Sequence, residues 1–362
     1  MSAFIVAGLR TAVVPRGGAF RSLGIGDLGG ALVAALLDRA GIAGAEVEEL
    51  IVSNALGAGG NPARLVALQA GLPERVAGLS IDRQCAGGLD AVLIGRALVA
   101  SGAADVVVAG GVETFSRRPL RAVAGPQGPV FYERPPFTPW PDRDPDLTEA
   151  AAALAGRLGM SRAAQEAWAM GSHAKALTAR KALRGEIFSL AEVQDDVFTR
   201  VLTPTLVARA KILAGTVTAA TTAVAADAAA FVVIVSERRA RDFRGALRIA
   251  GGVTLGGAPE DPGLAPVLAI ERALAKAGMR AANLAMAEVM EAYAAQAMAC
   301  VAGAGLDPVT VNPGGGALAR GHPIGASGAV LAVRLFHGLQ RGHGLAAIAA
   351  AGGIGTALVV ER

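Results

Sequence analysis

Cys85 is the residue whose setting most clearly suggests chemistry. It lies in the run LSIDRQCAGGLDAV, where an apolar strand ends, Gly87 and Gly88 follow, and an amphipathic helix begins. A thiol at such a strand-to-helix turn faces the unpaired N–H groups and the positive dipole end of the helix, which favour the thiolate. The thiolate attacks carbonyl carbon, so the sequence predicts a nucleophile at this position.

The second candidate is His322, in the glycine-rich segment GGGALARGHPIGASGAV. A lone cysteine is more often a small buried hydrophobe, and a lone histidine is more often a satisfied core or surface residue. We interpret His173, His337 and His343 as such core or surface residues. The glycines around Cys85 and His322 let other groups approach closely, which favours a chemical role for this pair. Together they suggest acyl transfer.

Composition limits the protein classes. The chain has 362 residues, of which 53% are hydrophobic and 4% aromatic, so we expect a core of small aliphatic side chains. The net charge of +4, without a block of basic residues, argues against nucleic acid as a partner and is compatible with an anionic small molecule. Two cysteines form no disulfide framework, and the N-terminal segment has too short an apolar core for a signal peptide. We therefore expect a cytoplasmic protein. The uncharged stretch 344–360 is split by glycines, which predicts a buried hairpin and not a membrane span.

Alternating strand-like and helix-like segments predict layered α/β structure. The predicted strands are 3–9, 48–54, 245–253 and 284–290, and the predicted helices are 28–41, 62–71, 264–278 and 291–305. Superposing Gly88 on Gly328 aligns a helix, a buried strand and a glycine pair, so the chain looks duplicated. We expect Cys85 and His322 to face each other at the boundary between two similar halves.

A proline-rich, charged segment followed by a helical pattern separates the halves. A long surface loop is the alternative to an inserted cap, but loops of this length in compact proteins usually have a function. The predicted division is 1–115 for the N-terminal half, 116–214 for the inserted cap, 215–246 for a return to the N-terminal half and 247–362 for the C-terminal half.

Eight segments in order carry a family resemblance: LRTAVVPRGGAF, GNPARLVALQAGLP, CAGGLDAV, VVVAGGVETFS, GTVTA, EAYAAQA, GGGALARGHPIGASGA and GGIGTALVVE. In their order and approximate spacing they resemble the thiolases, the acyl-CoA C-acyltransferases of the thiolase superfamily. The resemblance implies an α/β fold of five layers, αβαβα, with two similar halves and an inserted loop domain that holds coenzyme A. It further implies a coenzyme A thioester as substrate, no permanently bound cofactor or metal, a role in lipid metabolism, and assembly as a homodimer or homotetramer.

The resemblance also assigns roles to single residues. Cys85 would be acylated, and His322 would take its proton and help to bind the thioester oxygen. Oxyanion donors would be the backbone N–H of Cys85 and an N–H of the turn near Gly353. The matches to the coenzyme A site are Arg200, near the nucleotide phosphates, and Ala219, Ala223, Ala292 and Tyr293, along the pantetheine.

Three departures from the family pattern concern the second half-reaction. Ala349 stands where the family has a second cysteine, the acid/base group for the reacting carbon. Met290 replaces the asparagine that precedes Glu-Ala-Phe-Ala and positions a water, and Ala223 replaces a serine that contacts the pantetheine. Glu291 is a candidate base, although in the family it is usually a structural partner of the active-site loops. Cys300 is expected to pack in the core.

Two hypotheses follow from this pattern. The leading one is a thiolase-type acyltransferase that forms an acyl-enzyme on Cys85. Because the second cysteine is absent, transfer to another acceptor and condensation driven by decarboxylation stay open beside reversible thiolysis of 3-ketoacyl-CoA. The alternative is a thiolase-like subunit that binds acyl-CoA or a partner protein without turnover. Loss of three family groups fits that alternative, whereas retention of Cys85 and His322 does not.

Overall fold

The computed structural model describes residues 1–57 and 59–362, which form fifteen strands and eleven α-helices. The strands are β1 (Ala3–Thr11), β2 (Val14–Pro15), β3 (Glu49–Ser53), β4 (Leu79–Ile81), β5 (Val106–Glu113), β6 (Arg121–Gly125), β7 (Gly128–Tyr132), β8 (Ile187–Phe188), β9 (Ile212–Ala214), β10 (Val217–Thr218), β11 (Ala226–Ser236), β12 (Leu247–Gly256), β13 (Leu284–Val289), β14 (His343–Ala350) and β15 (Ile354–Glu361). The helices are α1 (Ile25–Ala40), α2 (Pro62–Gln69), α3 (Gly87–Ser101), α4 (Leu147–Arg157), α5 (Arg162–Leu183), α6 (Pro204–Ala208), α7 (Glu237–Ala240), α8 (Ala265–Lys276), α9 (Ala294–Gly303), α10 (Ala317–Arg320) and α11 (Ile324–Gly338).

The central strands follow the order β13-β14-β15-β12-β1-β11-β5-β3-β4. Two residue pairs, Phe4 with Arg248 and Ile5 with Leu247, join β1 to β12, so the junction between the two groups of strands is narrow. On the N-terminal side, β1–β11 and β11–β5 are antiparallel and β5–β3 is parallel. On the C-terminal side, β12–β15 and β15–β14 are antiparallel and β14–β13 is parallel. The two halves therefore share one pairing scheme, as the duplicated sequence pattern predicted.

Helices and strands stack in five layers, and three large buried apolar clusters lie between them. Helices α1 and α2 cover the outer face of the N-terminal strands, and α8 and α9 cover the outer face of the C-terminal strands. Helices α3 and α11 lie between the two groups of strands and contact each other and both groups. The predicted αβαβα fold is confirmed. Cys300 is fully buried in the outer cluster of the C-terminal half, as expected.

The two central helices touch through glycine. A Cβ added to Gly88 would lie 2.7 Å from the backbone nitrogen of Ala329, and one added to Gly328 would lie 2.3 Å from that of Leu89. Neither distance accommodates a carbon atom, so both positions require a residue without a side chain. The residues that superpose in the sequence thus face each other in space, and the contact fixes the helix starts that follow Cys85 and His322.

Most predicted elements are present. The stretch 344–360 forms the predicted buried hairpin of β14 and β15. The helix predicted from residue 291 begins only at Ala294, because Tyr293 is extended (φ −136°, ψ 146°) and bridges to Thr222. Within residues 1–57 and 59–362, no helix combines the length and the apolar content needed to cross a bilayer.

Segment 116–214 contains an exposed hairpin of β6 and β7, followed by helices α4 to α6. It also reaches the central sheet, because β8 pairs with β1. Nearby, the fully buried guanidinium of Arg10 donates to Glu186 (2.7 Å) and to both carboxylate oxygens of Asp196 (2.7 and 3.0 Å). These ion pairs attach the segment to the first strand of the protein.

Candidate active site

A strained turn presents Cys85. Strand β4 ends at Ile81, a 3₁₀ turn spans Gln84–Ala86, and α3 begins immediately afterwards. Gln84 has a positive φ of 48°, which is uncommon for a residue with a side chain. Its backbone N–H donates to the Asp82 carboxylate (2.8 Å), and its side-chain amide donates to the same group. Asp82 therefore stabilises the backbone conformation immediately before the nucleophile.

His322 is fixed by backbone contacts on the other side of the site. Gly321 has a φ of +115°, and a Cβ there would lie 2.9 Å from the side chain of Ala226. The N–H of His322 donates to the carbonyl of Val224 at 2.8 Å. With its backbone held in this way, the imidazole points at Cys85, and Nε2 lies 3.1 Å from Sγ. The structure thus brings together two residues 237 positions apart.

A serine defines the protonation of the imidazole. Nδ1 of His322 lies 2.7 Å from Oγ of Ser327, and that hydroxyl donates to the carbonyl of Pro323 at 3.1 Å. A hydroxyl has one proton, so Oγ accepts a hydrogen bond from Nδ1–H. The lone pair of Nε2 then faces the thiol of Cys85. This tautomer is the one that can accept the thiol proton.

Burial opposes charge on both partners. It raises the pKa of the Cys85 thiol to about 12 and lowers the pKa of His322 to about 4. The negative charges of Glu113 and Asp82 raise the thiol pKa further. The backbone N–H of Cys85 at the helix start lowers the thiol pKa, as expected, but desolvation outweighs this effect. The resting pair is neutral, and the thiolate forms when its proton moves to His322.

A largely apolar cleft of about 440 Å³ opens beside the thiol. Helix α4 supplies one wall, and the β14–β15 hairpin supplies another. The lining residues are Cys85, Leu147, Ala150, Ala151, Leu154, Pro262, Gly263, Ala292, Tyr293, Gln296, Ala349, Ala350 and Ala351. Ala349 is thus part of the same cleft as Cys85.

Glu291 is engaged in a different network. Its carboxylate is 2% exposed and accepts hydrogen bonds from Trp168 (3.1 Å) and Ser172 (2.7 Å) on α5. It also accepts from Asn312 (3.0 Å) and from the backbone of Leu318 (3.3 Å). Among the described residues, none of its hydrogen bonds is to Cys85 or His322. Met290, beside it, is buried and lines a small cavity with Ser327.

The residues matched to the coenzyme A site fall into two groups. Ala292 and Tyr293 line the cleft, and Ala223 is next to them because its N–H donates to the carbonyl of Ala292 at 2.9 Å. Arg200 and Ala219 are exposed and lie outside the cleft lining. The guanidinium of Arg200 stacks on the ring of Phe198, 4.0 Å from its centroid.

Gly353, the second predicted oxyanion donor, lies in the tight turn between β14 and β15 with a φ of +74°. A Cβ there would lie 2.5 Å from the carbonyl oxygen of Ala258, so the turn requires glycine. Its own carbonyl accepts a hydrogen bond from Gly257 at 2.7 Å.

Sequence reasoning missed two supporting residues. Ser327 follows His322 by five positions, at the distance of one helical turn from Pro323, and this spacing was the available signal. Glu113, in the motif GGVETFS, is buried and accepts N–H bonds from Ala55 and Gly325 (both 3.0 Å). It therefore ties the end of β5 to the start of α11. Burial raises the pKa of Glu113 to about 7.

A thiol paired with a correctly oriented imidazole beside an apolar cleft defines an enzyme that transfers groups through a covalent intermediate. Comparison with known families identifies the group transferred. Residues 3–238 match the family described as "Thiolase, N-terminal domain", and residues 245–362 match "Thiolase, C-terminal domain". The chain belongs to the thiolase family, and these domains indicate an acyltransferase. The resemblance seen in the sequence motifs is confirmed.

Individual relatives agree. A Bacillus subtilis protein named "Putative acetyl-CoA C-acetyltransferase YhfS" is 38% identical over 330 residues, which cover 87% of this chain and 88% of the relative. A Staphylococcus aureus protein named "Putative acetyl-CoA C-acetyltransferase VraB" is 33% identical over 385 residues, which cover 99% of this chain and 99% of the relative. The crystal structure of Acat5 thiolase from Ascaris suum in complex with coenzyme A superposes with a TM-score of 0.93 at 27% identity, over 100% of both chains.

Proposed function

We propose that this protein is an acyl-CoA C-acyltransferase that forms an acyl-enzyme on Cys85 from a coenzyme A thioester. The observation that carries the proposal is the 3.1 Å contact between Sγ of Cys85 and Nε2 of His322, with Ser327 fixing the tautomer. The enzyme name of the two bacterial relatives supports acetyl-CoA as the acyl donor. The Ascaris neighbour, solved with coenzyme A, supports coenzyme A as the carrier.

In the proposed reaction, His322 takes the thiol proton as the sulfur attacks the thioester carbon. The tetrahedral oxyanion is stabilised by the backbone N–H of Cys85 and an N–H of the turn near Gly353. The intermediate collapses, the coenzyme A sulfur leaves with the proton from His322, and the acyl group stays on Cys85. The exchange of one thioester for another of similar energy requires only a base and oxyanion donors, and needs no metal or resident cofactor.

Binding of the carrier is assigned to the residues around the cleft. Ala219, Ala223, Ala292 and Tyr293 contact the pantetheine in this proposal, and exposed Arg200 meets the nucleotide phosphates. Glu291 is assigned a structural role, because its four hydrogen bonds join α5 to the segments around Asn312 and Leu318.

The proposal extends to domains and assembly. Helix α4, in segment 116–214, forms a wall of the cleft, which supports a cap function for this insertion between 1–115 and the returning part 215–246. The chain is proposed to assemble as a homodimer or homotetramer. Val123, Val130 and Phe131 expose more than half of their side chains on the β6–β7 hairpin, which supports burial of this hairpin in an assembly.

Intact-protein mass spectrometry tests the central step. Incubation with acetyl-CoA should add one acetyl group, and peptide mapping should place it on Cys85. Cys85→Ala should remove the label and His322→Ala should slow its appearance strongly, whereas Cys300→Ala, which changes the core cysteine, should retain it. A folded protein that gains no acetyl group would refute the acyltransferase and favour a subunit that binds acyl-CoA without turnover.

A further inference from the structure

The cleft beside Cys85 contains a second proton donor. Among the described residues of its lining, Cys85 and Tyr293 are the two with an ionisable side chain, and the other named walls are apolar apart from the Gln296 amide. Ala349 in the same cleft has only a methyl group. Any proton that moves to or from a substrate carbon in this cleft therefore has one protein group available besides the nucleophile and its base.

Tyr293 lines this cleft, and contacts on two sides hold it in place. Its extended backbone caps α9 and bridges to Thr222 on one side. On the other side its phenol oxygen lies 3.1 Å from Oγ1 of Thr148, on α4. A threonine hydroxyl can accept from a phenol and can donate to a phenolate, so Thr148 can stabilise Tyr293 in both protonation states.

The residue type is itself informative. The family pattern at this position is Glu-Ala-Phe-Ala, and this chain has Glu-Ala-Tyr-Ala. The chain thus lacks the thiol at Ala349 and has an additional hydroxyl in the same cleft. Burial raises the pKa of Tyr293, so the phenol carries its proton at neutral pH.

We propose that the hydroxyl of Tyr293, hydrogen-bonded to Thr148, is the acid/base group for the carbon–carbon step in this cleft. The proposal rests on the acyltransferase function above and specifies its acceptor chemistry as cleavage of a 3-oxoacyl-CoA, with the reverse condensation by the same groups.

The proton balance closes without another reactant. The Cys85 thiolate attacks the 3-oxo carbon, the bond between carbons 2 and 3 breaks, and carbon 2 takes the proton of Tyr293 to give acetyl-CoA. Incoming coenzyme A gives its thiol proton to the tyrosinate, a favourable transfer because a thiol has a pKa near 8.5 and a phenol near 10. The coenzyme A thiolate then attacks the acyl group, and Cys85 leaves and recovers its proton from His322.

Tyr293→Phe removes one oxygen atom and installs the family residue, so the fold is preserved. The chain's other tyrosine, Tyr132 on exposed strand β7, provides the matched control Tyr132→Phe. Each variant is assayed for acetyl labelling of Cys85 and for thiolysis of acetoacetyl-CoA. Because general acid catalysis typically contributes roughly 10²- to 10⁴-fold, Tyr293→Phe should lower thiolysis at least 100-fold more than it lowers labelling. Tyr132→Phe should change neither rate.

A double variant adds an independent test. Ala349→Cys in the Tyr293→Phe background should restore thiolysis, because it returns an acid/base thiol to the same cleft. Thiolysis in Tyr293→Phe that falls no further than labelling would overturn the role of Tyr293 alone. Wild-type protein that is labelled on Cys85 but cleaves no acetoacetyl-CoA would also overturn the role of Tyr293 and leave the acyltransferase function intact. Absence of labelling in the wild type would overturn the acyltransferase function together with this proposal.

Discussion

Replacement of Ser327 by alanine should slow acetylation of Cys85, because it removes the hydrogen-bond partner of Nδ1 of His322. In the wild type, Oγ of Ser327 accepts Nδ1–H of His322 at 2.7 Å. In Ser327→Ala that buried N–H loses its partner, which costs about 1–3 kcal/mol. The cost falls on the tautomer whose Nε2 accepts the thiol proton. Because about 1.4 kcal/mol corresponds to a factor of ten, acetylation of Cys85 should slow by roughly 5- to 150-fold.

The assay is single-turnover labelling with acetyl-CoA, followed by mass spectrometry. Ser101→Ala is the control, because the Ser101 hydroxyl also donates to a carbonyl of its own helix (Leu98, 2.9 Å) but is exposed and contacts no imidazole. It should acetylate at the wild-type rate. A Ser327→Ala protein that is folded and acetylates within twofold of the wild type would show that the serine does not select the tautomer.

Two further predictions concern the helix contact and the protonation of the pair. Gly328→Ala should lower the free energy of unfolding by about 3 kcal/mol in denaturant titrations, because its Cβ would lie 2.3 Å from the Leu89 nitrogen. Gly156→Ala, at an exposed position of α4 where an added Cβ would meet nothing beyond its own helix, should raise it by about 0.5–1 kcal/mol. Equal effects of the two substitutions would contradict the close contact. The rate of Cys85 acetylation should be constant between about pH 5.5 and 8. The reason is that both partners stay neutral between the pKa of His322, about 4, and the pKa of Cys85, about 12. A loss of rate centred near pH 6.5 would show that the imidazole titrates as it does in water.

The five layers were predicted from the resemblance to the thiolases. Glycine spacing and apolar alternation were sufficient to predict the terminal hairpin and the partnership of Cys85 with His322. These features depend on local patterns that recur in both halves. The start of α9 was predicted three residues too early, because Tyr293 is held extended by a bridge to Thr222, a contact that helical periodicity does not register. Such pairing between remote segments is not encoded in either segment alone.

The electrostatics of the site were also beyond the sequence. A helix terminus favours a thiolate, but the extent of desolvation at Cys85 depends on the layers that close around it, and it reverses the direction of the pKa shift. The contact between Ser327 and His322 likewise depends on the fold, because α11 begins at Ile324 and places the serine hydroxyl 2.7 Å from Nδ1 of the imidazole. Glu291 accepts hydrogen bonds from Trp168 and Ser172 on α5, so its surroundings depend on how the inserted segment packs. The sequence pattern of that segment does not indicate which part of the protein it packs against.

The glycine contact between α3 and α11 limits which residues these two positions can accept. A larger residue at Gly88 cannot be accommodated by a smaller one at Gly328, because that position is already at the minimum size, and the reverse is equally true. Neither site has a compensating partner, so both are closed to substitution. Ala349, which lines the cleft, takes no part in this helix contact. The positions of the two helix starts, and with them those of Cys85 and His322, therefore depend on glycine at both sites.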